Sequence, residues 1–156
     1  MKKKVLLLAL VVALVAGANA FAYRAAVGGE FAMKIGQGLP NSALLSFRLP
    51  SFPAVFGLGL TVGESTSSLA LLADWWLYQG TLVDSVGLYV GPGAFLGVSA
   101  DAFTLGLRVP VGINIYPIKP LELFVEFAPA VTFIAPSGVQ IPAWGVQAGF
   151  GFRFWF

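Results

Sequence analysis

From Trp144 to Phe156 the chain alternates without a break. Trp144, Val146, Ala148, Phe150, Phe152, Phe154 and Phe156 form one set; Ala143, Gly145, Gln147, Gly149, Gly151, Arg153 and Trp155 form the other. A period of two means an extended strand with the two sets on opposite faces. One face is bulky and apolar, the other mostly small or polar. In a water-soluble protein the bulky face would point into a core. Here the rest of the chain argues the reverse, with the bulky face outward into lipid and the small and polar face into the lumen of a barrel.

Composition supports that inversion. The 156 residues suffice for one domain, yet 58% are hydrophobic and only 10% charged, against roughly 25% charged in an ordinary soluble domain. One core of this size cannot bury so much apolar surface, so part of it needs a solvent other than water. Beyond the first twenty residues no apolar run approaches the ~20 residues of a membrane helix, and 19 Gly with 10 Pro are too dense for long helices. A membrane chain without spanning helices must close its strands into a barrel, because hydrocarbon satisfies no backbone group.

The start of the chain has a different character. Lys2, Lys3 and Lys4 precede an apolar stretch over 5–16, and Ala18, Asn19 and Ala20 form a small-x-small site. This is the pattern of a cleavable signal peptide over 1–20, leaving 21–156 as the barrel domain. The formal charge of +2 then loses three lysines, and six basic residues face seven acidic ones. No basic patch remains for a nucleic acid. The chain has no Cys, hence no disulfide, and no His.

The alternation predicts an all-β, eight-stranded antiparallel up-and-down transmembrane barrel. The strands fall at about 24–35, 42–49, 54–62, 67–78, 86–98, 102–116, 121–134 and along the terminal segment. Residues 79–85 read as a looser link, with Tyr78 facing inward beside Trp76 and Asp74. The sixth strand has the cleanest apolar face: Phe103, Leu105, Leu107, Val109, Val111, Ile113 and Ile115, opposite Thr104, Gly106, Arg108, Gly112 and Asn114. An even count lets the last strand meet the first and removes sheet edges. Pro92, Pro110 and Pro129 fall inside strands, where they cannot donate to a ladder, so bulges are expected there. Tyr23, Phe52, Phe56, Trp75, Tyr78, Tyr116, Trp155 and Phe156 gather at the end that carries both termini, as interfacial aromatics do.

Charge placement fixes which face is which. Glu64, Asp84, Asp101 and Lys119 fall in turns. Arg24 and eight further strand residues, Glu30, Lys34, Arg48, Asp74, Arg108, Glu122, Glu126 and Arg153, all take the face opposite the bulky one. A single Arg or Lys on a lipid face near the midplane would cost about 2–4 kcal/mol. The eight are predicted to form a structural charge cluster in the lumen, with Glu30, Glu126 and Asp74 satisfied mainly by Arg108, Lys34, Arg48 and Arg153. Eight strands also leave a lumen too narrow for the bulky set and too narrow for a wide aqueous channel.

Catalytic readings fare poorly. Glu122 and Glu126 share a strand face and could serve as an acid/base pair, but ion pairing in a narrow lumen accounts for them better. No His/Cys/carboxylate set suggests a metal, and the Gly-x-Gly runs at Gly57 and Gly91 lack the helix that a phosphate loop requires. No catalytic residue, cofactor or metal is expected.

The closing strand, ending in Phe152, Phe154 and Phe156, resembles the C-terminal signature of bacterial outer-membrane barrels, which the barrel-assembly machinery reads. With the alternation from Arg24 onward, the chain resembles the small eight-stranded barrels typified by OmpA and OmpX. Residues 107–117, LRVPVGINIYP, and 121–129, LELFVEFAP, look like a hairpin of short spirochaete-type outer-membrane barrels. The resemblance implies a monomer in the bacterial outer membrane, in contact with its lipid, with a structural, non-enzymatic role. Inward Trp76, Tyr89, Phe95 and Phe124 keep open an alternative, a narrow passage or binding site for small hydrophobic molecules as in OmpW-like barrels. A third reading is partner binding through the loop tips. Connections of roughly three to seven residues are shorter than the extracellular loops of the OmpA type.

Overall fold

The computed structural model describes residues 25–36, 40–50, 52–63, 67–100, 103–135 and 138–156. The predicted leader, Tyr23, Arg24, Glu64 and Asp101 lie outside the described residues. Eleven strands follow in order: β1 (Ala26–Gly36), β2 (Ser42–Arg48), β3 (Ala54–Thr61), β4 (Leu69–Trp75), β5 (Tyr78–Val83), β6 (Val86–Val90), β7 (Gly93–Val98), β8 (Phe103–Arg108), β9 (Val111–Ile118), β10 (Leu121–Ala135) and β11 (Gly138–Trp155). All pairings are antiparallel. The sheet closes where β11 pairs β1, from Ala26↔Trp155 to Gly36↔Gly145, and β10 on its other side. The ring runs β1, β2, β3, β4, β7, β8, β10, β11. It is an eight-stranded barrel in which the fourth, fifth and sixth staves are each split in two: β4 with β5, β6 with β7, β8 with β9.

Side chains alternate as the period of two requires. Along β8 and β9, Phe103, Leu105, Leu107, Val111, Ile113 and Ile115 are exposed, while Gly106, Arg108, Gly112 and Asn114 are buried. Along β10, Leu123, Val125 and Phe127 are exposed and Glu122, Phe124, Glu126, Ala128 and Ala130 are buried. The same division holds on β11, where Phe150, Phe152 and Phe154 face out and Gln147 and Arg153 face in. The barrel has therefore turned most of its large apolar side chains outward and its buried charged groups inward.

The three interior prolines mark the breaks. Gly91 and Pro92 separate β6 from β7; Val109 and Pro110 separate β8 from β9. Pro129 sits where β10 changes partners, from β9 at Phe127↔Val111 to β8 at Ala130↔Arg108. Facing is preserved across the two proline breaks. It is not preserved between Trp76 and Leu77. There one extra residue is accommodated, so Tyr78 pairs Val90 on the outer face and Gln79 pairs the inward Tyr89. Tyr78 accordingly stands outside and exposed, not inside as alternation through Trp76 implies. The segment read as a loose link is β5, which forms a hairpin with β6 around Asp84 and Ser85. Asp84 takes φ 42°, a left-handed turn conformation that Asp tolerates.

One glycine at this break is required by close approach. A Cβ on Gly91 would overlap the Trp75 carbonyl oxygen, a backbone atom that cannot move aside. Gly91→Ala is expected to destabilise the folded barrel by about 1–3 kcal/mol. Gly29→Ala, where the new methyl meets only the end of the Phe152 ring, should change stability far less. Urea unfolding of the detergent-refolded variants, followed by tryptophan fluorescence, measures both.

Candidate functional site

The lumen is filled, and its layers can be read along the inward face of one strand. From the end carrying the described termini, β10 presents Glu122, then Phe124, then Glu126, then Ala128 and Ala130. Phe124 and Ala130 belong to different layers. Phe124 joins Val55, Trp76 and Tyr89 in an aromatic layer, with Trp155 packed against it. Ala130 joins Ala32, Leu44, Ala70, Leu72 and Phe95 in an apolar layer. The ionised groups sit between and below these.

Arg108 is the centre of the middle layer. Its Nε lies 3.2 Å from Asp74 Oδ1, its Nη2 binds Glu126 Oε1, and its Nη1 donates to Gln147 Oε1 at 2.7 Å. The remaining oxygen of Glu126 accepts from the Tyr89 hydroxyl at 2.8 Å. The second centre is Arg153. Its Nη2 is 3.5 Å from Glu30 Oε2, its Nη1 3.5 Å from Glu122 Oε2, and its Nε donates to Ser46 Oγ at 2.9 Å. Glu122 also accepts from Asn114 Nδ2 at 2.7 Å and from the Trp155 indole at 2.8 Å. Arginine suits both posts because its planar fork spreads several donors over several acceptors.

Seven of the eight residues singled out by charge are buried: Glu30, Arg48, Asp74, Arg108, Glu122, Glu126 and Arg153. Asp74 and Glu126 meet at Arg108; Glu30 and Glu122 meet at Arg153. Arg48 lies over the rings of Trp76 and Trp155, 5.1 and 5.4 Å from their centres. Arg153 stands 3.7 Å from the Phe124 ring centre. Lys34 is not brought in. It stands exposed towards the far end of β1, beyond the apolar layer. Charge alone missed the neutral members, Ser46, Tyr89, Asn114, Gln147 and Trp155. Their signal was present, since each shares the inward parity of its strand. Phe152, Phe154 and Phe156 project from the outer face and are exposed.

Both oxygens of Glu122 and both of Glu126 are engaged, while Glu30 Oε1, Asn114 Oδ1 and Gln147 Nε2 have no hydrogen-bond partner. Among the described residues no three or more His, Cys, Asp or Glu side chains gather as a metal-binding group. Buried ion pairs of this kind add little net stability, because desolvation offsets the attraction. They do penalise error. A one-residue slip of a stave that carries one of these charges would take it to the outer face and strand the partner inside.

Removing one partner should therefore cost far more than removing the network. Arg108→Met leaves Asp74 and Glu126 uncompensated and is expected to lose about 3–5 kcal/mol. Adding Asp74→Asn and Glu126→Gln to it should recover most of that loss. Urea midpoints of the single and triple variants decide this.

Comparison with protein families, with curated proteins and with solved structures finds no match to the chain.

Proposed function

We propose that this chain is a non-enzymatic barrel of the bacterial outer membrane, of the small kind typified by OmpA and OmpX, with a structural role in the envelope. One observation carries the reading. Large apolar side chains are exposed on every stave, among them Met33, Leu45, Leu58, Leu69, Val98, Leu107, Val125 and Phe150, while the buried ionised groups all lie within. Water would not tolerate such an outer surface on a monomer, and a closed barrel is one of only two folds that hydrocarbon tolerates. On this reading its partners are outer-membrane lipid and, during assembly, the barrel-insertion machinery, which would meet the outward row Phe152, Phe154 and Phe156. It needs no cofactor.

Packing favours the structural role over a passage for small hydrophobic molecules. Tyr89 and Phe95 are 0% and 1% exposed, and Trp76 and Phe124 are 4% and 3%. Aromatic side chains packed this tightly fill the lumen; they do not line a channel.

The test is direct. The protein should fractionate with outer membranes and migrate faster on a denaturing gel when unheated. Ile113→Arg, on the outer face of β9, should cost about 2–4 kcal/mol of folding stability in a bilayer. Liposomes carrying the wild-type barrel should show no flux of small solutes or hydrophobes. A folded monomer in detergent-free buffer would remove the membrane reading. Measurable flux would remove the purely structural one.

A further inference from the structure

Three neighbouring staves are interrupted along one diagonal, after Trp76, at Pro92 and at Pro110, and the next, the unbroken β10, changes partners at Pro129. The backbone bonds along this seam are few. The Trp75 N–H donates to the Pro92 carbonyl at 2.8 Å, Gly91 to Pro110 at 3.3 Å and Val109 to Pro129 at 2.9 Å. In each case the proline accepts and has no N–H with which to return a bond. The seam therefore sets apart a three-stranded patch, β5–β6–β9, at the end carrying the described termini. One side of the patch is held to β10 by the ladder between Phe127↔Val111 and Leu121↔Ile118. Its other side is β5. The outer edge of β5 has no ladder partner among the described residues, because β3 pairs the fourth stave only as far as Ala54↔Trp75. The patch itself lines a pocket of ≈ 270 Å³, with Gln79, Thr81, Asn114 and Tyr116 among its walls.

We infer that the β5–β6–β9 patch is a hinged flap: it swings about the β9–β10 ladder, bends at the proline seam, and opens the nearer half of the lumen sideways at the free edge of β5. Tyr89 is its latch. The Tyr89 hydroxyl donates to Glu126 on β10, and its ring stacks 4.3 Å from that of Trp76, at the end of the unbroken part of the fourth stave. Beyond the seam, ladders join β3 through β4, β7 and β8 to β10, with one register shift between Thr132 and Ile134, so the apolar layer around Leu72 and Phe95 stays shut. None of this depends on the barrel's residence in a membrane.

The absence of cysteine makes the test clean. Val55→Cys places a thiol in the aromatic layer and Ala70→Cys places one in the apolar layer; both native residues are buried. The folded barrel in detergent is treated with a charged methanethiosulfonate. The flap predicts that Val55→Cys reacts at least about tenfold faster than Ala70→Cys, as sub-global opening requires. Adding Tyr89→Phe should speed Val55→Cys severalfold and leave Ala70→Cys unchanged. Amide exchange of the wild-type protein gives a reading free of any variant: the Trp75, Gly91 and Val109 amides should exchange as a group, about tenfold faster than the β1 ladder. Equal protection of the two cysteines, no acceleration by Tyr89→Phe, or seam amides as slow as those of β1 would each overturn the flap.

Discussion

Seven charged side chains among the described residues share the lumen of this barrel, each buried. An isolated charge in such a place would cost several kcal/mol in desolvation, so its position is dictated by the partners around it. Arg108 and Arg153 act as two hubs, each drawing carboxylates from different strands. Asp74 comes from β4, Glu126 and Glu122 from β10, Glu30 from β1. Because each strand alternates, fixing one inward residue fixes which face every neighbour takes. The charge network thus determines the register of the staves, and register determines that the outer surface is apolar.

The same constraint shapes the rest of the interior. A narrow lumen holding two arginines and several aromatics has room for little else. This is why Gly106, Gly112 and Gly149 occupy inward positions opposite Phe95, Tyr89 and Glu126; a methyl group there would overlap or crowd those side chains. Aromatic rings then serve two purposes. They fill space, and the faces of Trp76, Trp155 and Phe124 lie against the guanidinium groups of Arg48 and Arg153.

Much of this was legible in the chain. Alternation over 102–116 named the outer and inner sets of that stave residue by residue, and the eight-strand count holds. Two features were not legible, for identifiable reasons. The extra residue near Trp76 and Leu77 leaves both flanking segments locally alternating, so the change of face at Tyr78 emerges only from its pairing with Val90. Lys34 has the inward parity of Glu30, but parity says nothing about height along the barrel, and four residues carry it past the apolar layer to the exposed end. The prolines are an intermediate case. Bulges were expected at each, but the strands break or change partners there with the register unchanged, Val90↔Val111 to Gly93↔Arg108 and Phe127↔Val111 to Ala130↔Arg108; their alignment into one seam depends on the stagger between neighbouring staves.

The sidedness of the strands is the claim on which the other conclusions rest, and a nitroxide scan along β8 and β9 tests it most directly. Single cysteines introduced from Phe103 to Ile115 would be spin-labelled in lipid bilayers, and their collision with oxygen and with a water-soluble nickel chelate recorded. The account predicts a period of two, with labels at 103, 105, 107, 111, 113 and 115 open to oxygen and closed to nickel, and their neighbours shielded from both. Labels on the Phe103 and Ile113 face that collide freely with the nickel chelate would contradict it.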